Sequence, residues 1–211
     1  MSRPLDLGLR QTRNLLIRMG RLAEEAIKRS LKGFQEMEDV YEDVRDWSNT
    51  LLILSSEVEE QVTSLIALHQ PMARDLRTLR AYLKIAYDLE RFGRYALDIA
   101  DLLRGIGPWR RLEGIPLGEM GEKVMEMVKA ALSLVEDGDR VEMIDEISMI
   151  EKEVDSLYRR GLKILAGVEA DARTIIAHIL TIRYLERIAD HAIYITESMT
   201  YALTGRRFSL R

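Results

Sequence analysis

Four carboxylates in the C-terminal half of the chain are spaced so that they can act together. Glu151 and Asp155 lie four residues apart, and so do Glu186 and Asp190. On a helix, an i, i+4 pair projects from one face with about 6 Å between the side-chain bases. If the two segments fold back on one another, residues of equal height share a constant index sum. Residue 151 with 190, and 155 with 186, meet that condition for a turn inside Gly167–Asp171. The four acids are then expected to close a square across a helix–helix groove. Like charges at that range raise one another's pKa or push apart unless a cation sits among them. A hard metal ion resolves the conflict. Oxygen donors in a chain with no cysteine favour iron, manganese, magnesium or calcium over zinc, although carboxylate-bound zinc exists. The competing reading is a set of solvated charges paired with neighbours such as Arg187.

The elements that would position these acids are helices. Pro4, Pro71, Pro108 and Pro116 are the only prolines, and none interrupts a long periodic segment. Between them, apolar residues recur at i, i+3, i+4 and i+7 with almost no period-2 alternation, which predicts helices and no sheet. Six are expected: about Leu7–Gly33, Tyr41–Leu68, Ala73–Leu103, Leu117–Val135, Val141–Leu165 and Asp171–Leu203, with Asp171 as a cap. The fourth ends before Asp137-Gly138-Asp139. Gly105-Ile106-Gly107-Pro108 through Gly114-Ile115-Pro116 is the one concentration of Gly and Pro and marks a boundary. The chain divides into residues 1–106, a linker 107–116, and residues 117–211. The expected fold class is all-α, two tandem similar three-helix bundles.

An internal repeat supports that division. Asp75-Leu76-Arg77 recurs as Asp171-Ala172-Arg173, 96 residues on. At the same offset Leu89-Glu90-Arg91-Phe92-Gly93-Arg94-Tyr95-Ala96 recurs as Leu185-Glu186-Arg187-Ile188-Ala189-Asp190-His191-Ala192. Met19-Gly20 recurs as Met120-Gly121. On the sixth helix the apolar face gathers around Leu185, Ile188, Ala192, Ile195 and Met199. Glu186 and Asp190 fall roughly 140° from its centre at 100° per residue, so they are expected on an accessible groove. The first repeat breaks the pattern: Arg94 replaces the second acid, and the facing positions are expected to be Ser48 and Leu52. No metal is expected there, and Asp46 is the nearest acid to pair with Arg94.

Composition narrows the function classes. The 211 residues carry 31 Lys+Arg against 35 Asp+Glu, a formal charge of −4, which gives no whole-chain reason to expect nucleic acid. The absence of cysteine removes disulfides and thiolate chemistry and fits a reducing compartment. The longest aliphatic run, Leu51-Leu52-Ile53-Leu54, is far below the roughly 20 residues of a membrane span. The first residues lack a signal-peptide core, so a cytoplasmic protein, peripheral to a membrane at most, is expected. There is no P-loop, GxGxxG or nucleophile elbow. A ferritin-like di-iron enzyme would need Glu-x-x-His pairs, but Ile66, Ile175 and Ile188 precede His69, His178 and His191 by three. His178 and His191 are read as packing residues, with His69 beside the first turn. Trp109 is read as packed between the bundles, with a partner anchor as the other option. Arg206, Arg207 and Arg211 form a small basic tail.

Gln70-Pro71-Met72-Ala73-Arg74-Asp75-Leu76-Arg77, followed by Leu89-Glu90-Arg91-Phe92-Gly93 and, in the second half, Leu185-Glu186-Arg187-Ile188-Ala189-Asp190, resembles the PhoU family of phosphate-transport regulators over nearly the whole chain. The resemblance implies two three-helix repeats. It also implies surface metal, often iron or zinc, held by ExxxD pairs, here Glu151, Asp155, Glu186 and Asp190. It implies no catalysis. The role it implies is to dampen high-affinity phosphate uptake through contacts with a phosphate ABC transporter or a membrane sensor kinase. A homodimer is expected. A helical adaptor without metal is the alternative.

Overall fold

The computed structural model describes residues 3–138, 143–207 and 209. They form six helices: α1 (Pro4–Glu36), α2 (Tyr41–His69), α3 (Ala73–Ile106), α4 (Leu117–Glu136), α5 (Met143–Gly167) and α6 (Ala172–Thr204). No strand occurs among the described residues. Most ends fall within a few residues of the sequence expectation, and the differences come from capping. Pro4 opens α1 earlier because a proline's missing N–H is harmless in the first turn. Asp6 bonds back to the Arg3 backbone N–H at 3.1 Å. Asp171 caps α6, accepting from the Thr174 backbone N–H at 3.0 Å and its hydroxyl at 2.7 Å. Those donors hold its carboxyl below the usual carboxylate range. Gly205 ends α6 at φ 73°, a left-handed conformation that costs a glycine little. The expected start of the fifth helix at Val141, and Asp139, lie outside the described residues.

Each half is a three-helix bundle, α1–α2–α3 and α4–α5–α6. They join along two seams: α3 against α6, and α1 against α4. The core runs continuously through both, from Leu16, Met19 and Ile27 through Phe92 and Ile99 to Met120, Met127 and Leu185. The Met-Gly recurrence has a structural reason. A Cβ on Gly20 would collide with the Leu132 side chain of α4, and one on Gly121 would come within 3.2 Å of Leu31 of α1. Each glycine is a notch that admits a leucine from the other half. The α3–α6 seam is antiparallel. Asp88 meets His191 and Tyr95 stacks near Tyr184, so moving seven residues forward on α3 moves seven back on α6.

The connection at 107–116 is packed rather than loose. Trp109 is buried and stacks on Phe34 of α1, with centroids 4.7 Å apart and planes at 24°. Phe34 in turn meets His178 of α6 edge-on at 5.4 Å. The Arg110 backbone N–H donates to Thr174 Oγ1 at 3.0 Å. His178 is buried as expected. Its Nδ1 donates to the Thr174 carbonyl at 2.8 Å, and burial pushes the imidazole below its ordinary pKa. Among the described residues, no helix is long and apolar enough to cross a membrane.

Candidate functional site

The α5–α6 hairpin forms with the anticipated turn. A Cβ on Gly161 would contact Ile182 at 3.3 Å, which puts Glu151 and Asp155 near the heights of Asp190 and Glu186. Three of the carboxylates hold arginines. Glu186 accepts from Arg183 Nη1 at 2.8 Å and from Arg187 Nε and Nη2 at 2.7 Å. Asp190 Oδ2 lies 2.6 Å from Arg187 Nη2. Asp155 accepts from Arg159 at 2.8 Å, and Glu151 is half-buried on α5. Among the described residues, no three His, Cys, Asp or Glu side chains stand as a group that could hold a metal ion. Arg187 lies against both Glu186 and Asp190 in this arrangement. The accessible groove expected for Glu186 and Asp190 also differs from what is found. Their side chains are only 14% and 13% exposed, because α6 is packed by α3 and α4 as well as α5.

Arg187 is thus the cation that neutralises two largely buried carboxylates, and its own pKa is raised by the hydrogen bond to Glu186. Replacing it with methionine is expected to cost about 2 kcal/mol, since Glu186 loses a charged donor, keeping only Arg183, and Asp190 loses its neighbouring positive charge. Thermal melts in chelator and then in added Mn²⁺ or Zn²⁺ check this. A variant that melts like the wild type in chelator would show that Arg187 is not the compensating cation. A rise with metal in the variant alone would show that the carboxylates accept an ion once the guanidinium is gone.

In the first repeat Ser48 faces α3 as expected, with its Cα 3.4 Å from a Cβ built on Gly93. Leu52 does not. Leu51 fills that place against Gly93, and Leu52 is half exposed. The one-residue difference arises because close approach at Gly93 selects the apolar residue nearest the helix contact. Asp46 pairs with its neighbour Arg45 at 3.2 Å instead of with Arg94. Arg211 of the basic tail lies outside the described residues.

The polar feature that sequence reasoning missed is in the α3–α6 seam. His191 Nδ1 and Asp88 Oδ1 lie 2.7 Å apart, both buried. Burial raises the Asp88 carboxyl above its usual pKa, and the hydrogen bond to His191 opposes that shift. Three tyrosines surround the imidazole: Tyr194 edge-on at 5.4 Å, Tyr95 at 5.7 Å and Tyr87 at 6.2 Å. The repeat offset maps Asp88 onto Tyr184 and Tyr95 onto His191. The acid–imidazole pair at one end of the seam therefore takes the place of the tyrosine–tyrosine stack at the other. A cleft of about 550 Å³ opens beside the pair between α3 and α6. The available signal was Asp88 itself, an acid at the periodicity of Tyr82, Ile85, Leu89 and Phe92, where a buried charge needs a partner.

Comparison with known proteins matches a PhoU domain model at residues 16–103 and again at 117–199. A phosphate-specific transport system accessory protein PhoU homolog from Clostridium acetobutylicum is 29% identical over 97% of this chain and 96% of its own length. The homolog of the same name from Zymomonas mobilis is 31% identical over 98% of this chain and 88% of its own. That from Caulobacter vibrioides is 37% identical over 74% and 70%. The crystal structure of PhoU from Pseudomonas aeruginosa superposes with a TM-score of 0.87 at 26% identity, covering 95% of this chain and 99% of that one. The phosphate transport system regulatory protein PhoU from Streptococcus pneumoniae shares the fold, with a TM-score of 0.89 at 22% identity over 97% of this chain and 99% of that one.

Proposed function

The chain belongs to the PhoU family, and on that premise we propose that it is an accessory regulator of phosphate transport that holds down high-affinity uptake by protein contact rather than by catalysis. The observation that carries this reading is the double match. Both repeats fit the family's domain, and relatives named as accessory proteins of the phosphate-specific transport system align over nearly the full chain. Its partners in this reading are the phosphate ABC transporter, the sensor kinase associated with it, or both. Two packed seams between the halves suit such a role, because surfaces from both halves are then presented together. Glu186 and Asp190 pair with Arg187 on α6, and with Glu151 and Asp155 of α5 they are the carboxylates that would hold a metal in this reading.

The test is made in cells grown with abundant phosphate. Removing the chain is expected to raise the initial rate of phosphate uptake, and restoring it on a plasmid to lower the rate again. Tagged chain is expected to retain the transporter ATPase or the sensor kinase on purification. Uptake that is unchanged on removal would overturn the regulatory reading.

A further inference from the structure

The cleft beside the Asp88–His191 pair has no counterpart in chemistry at the other end of the seam, although the duplicated fold puts equivalent positions there. Its walls carry Arg80, Lys84 and Tyr87 from α3, Tyr194 and Tyr201 from α6, and Arg207 just beyond Gly205. The repeat offset maps Arg80 to Ile176, Lys84 to Leu180 and Arg207 to Arg111. In the opposite sense it maps Tyr194 to Asp98 and Glu197 to Asp101. Duplication therefore does not explain Arg80 and Lys84, which the other end replaces with Ile176 and Leu180, although it keeps cations at Arg111 and, in place of Tyr87, Arg183.

The cations are arranged for capture. Arg80 and Lys84 stand one turn apart on one face of α3. Among the described residues Arg80 makes no close ion pair and Lys84 acts on Asp88 only as a nearby charge, whereas Arg29 and Arg104 each hold two carboxylates. Arg207 reaches the same cleft from a third place in the chain, over the Tyr201 ring at 5.9 Å. Of the two acids on the wall, Asp88 is already engaged by His191. The cations therefore outnumber the remaining acid, Glu197, three to one. Guanidinium and ammonium groups converging this way match a phosphate. Tyr87, more than half exposed, and Tyr194 offer ring surface next to it, against which a planar heterocycle stacks. The volume of about 550 Å³ suits a ligand of mononucleotide size.

We propose that this cleft binds a mononucleotide, with its phosphates against Arg80, Lys84 and Arg207 and its base against Tyr87 and Tyr194. The site is made by both repeats, so an occupant would bridge them. The inference does not depend on the regulatory reading, and its test requires only the purified full-length chain.

Calorimetric titration with ATP, GTP, inorganic phosphate and adenosine separates the contributions. At least one nucleotide is expected to bind with a Kd of about 1 mM or tighter, with phosphate and adenosine each at least about tenfold weaker. Arg80→Ser with Lys84→Ser is expected to weaken the nucleotide at least about tenfold while leaving the melting temperature unchanged, because both side chains are exposed. Tyr87→Ala should weaken the nucleotide and leave phosphate binding as it was. Three results would each overturn the proposal: no saturable binding of either nucleotide, phosphate binding as tightly as the nucleotide, or wild-type nucleotide affinity in the Arg80/Lys84 variant.

Discussion

Replacing Trp109 with alanine is expected to destabilise the protein by roughly 3–5 kcal/mol, the range for emptying a large buried aromatic site. The indole is only 6% exposed and its stacking partner Phe34 belongs to α1, while its backbone neighbour Arg110 is pinned to α6. The loss would therefore be felt in both halves. Trp109→Phe keeps a ring against Phe34 and should cost less than half as much. Urea denaturation followed by the fluorescence of Trp47 reports the change, since that tryptophan sits on α2 and is kept in the variant. A Trp109→Ala midpoint equal to the wild type's would mean that the connection contributes nothing to holding the halves together.

The second large effect is expected at Asp88. Cutting it to alanine leaves His191 buried without its acceptor, and breaking such a pair typically costs about 3 kcal/mol or more. Asp88→Ala combined with His191→Ala should cost clearly less than the sum of the single changes, with a coupling of about 1–3 kcal/mol. The same denaturation measurement supplies all four corners of the cycle. Strict additivity would show that the two side chains do not support each other. The offset-related Tyr95–Tyr184 stack carries no desolvated charge, so the coupling between single changes there should be smaller, about 0.5–1.5 kcal/mol.

The helices were legible because their signals are local. Apolar periodicity over 20 to 34 residues, with proline confined to the ends, leaves few alternatives. The repeat was also plain, since Leu-Glu-Arg recurs at a fixed offset. What remained hidden was set by contacts between repeats. The helical wheel of α6 shows where Glu186 and Asp190 lie relative to its own apolar stripe. It does not show that α3 also packs against α6 and covers much of what the wheel leaves outside. The turn sets the height of the acids, but which cation answers them depends on rotamers. Arg187, one residue from Glu186 and three from Asp190, reaches both. His191 was rightly read as part of the packing, yet its partner lies 103 residues away. No spacing rule within one helix finds such a pair.

The reciprocal notches at Gly20 and Gly121 have a consequence for how this molecule can change. Leu132 enters the first notch and Leu31 approaches the second, so the surface that each half offers is the surface that it accepts, as in an isologous pair of subunits. Separate identical chains would have to alter both copies of any residue together. A single continuous polypeptide lifts that restriction. One end of the seam is free to drift toward histidine and aspartate while the other keeps its tyrosines, and asymmetry becomes heritable without loss of the common architecture.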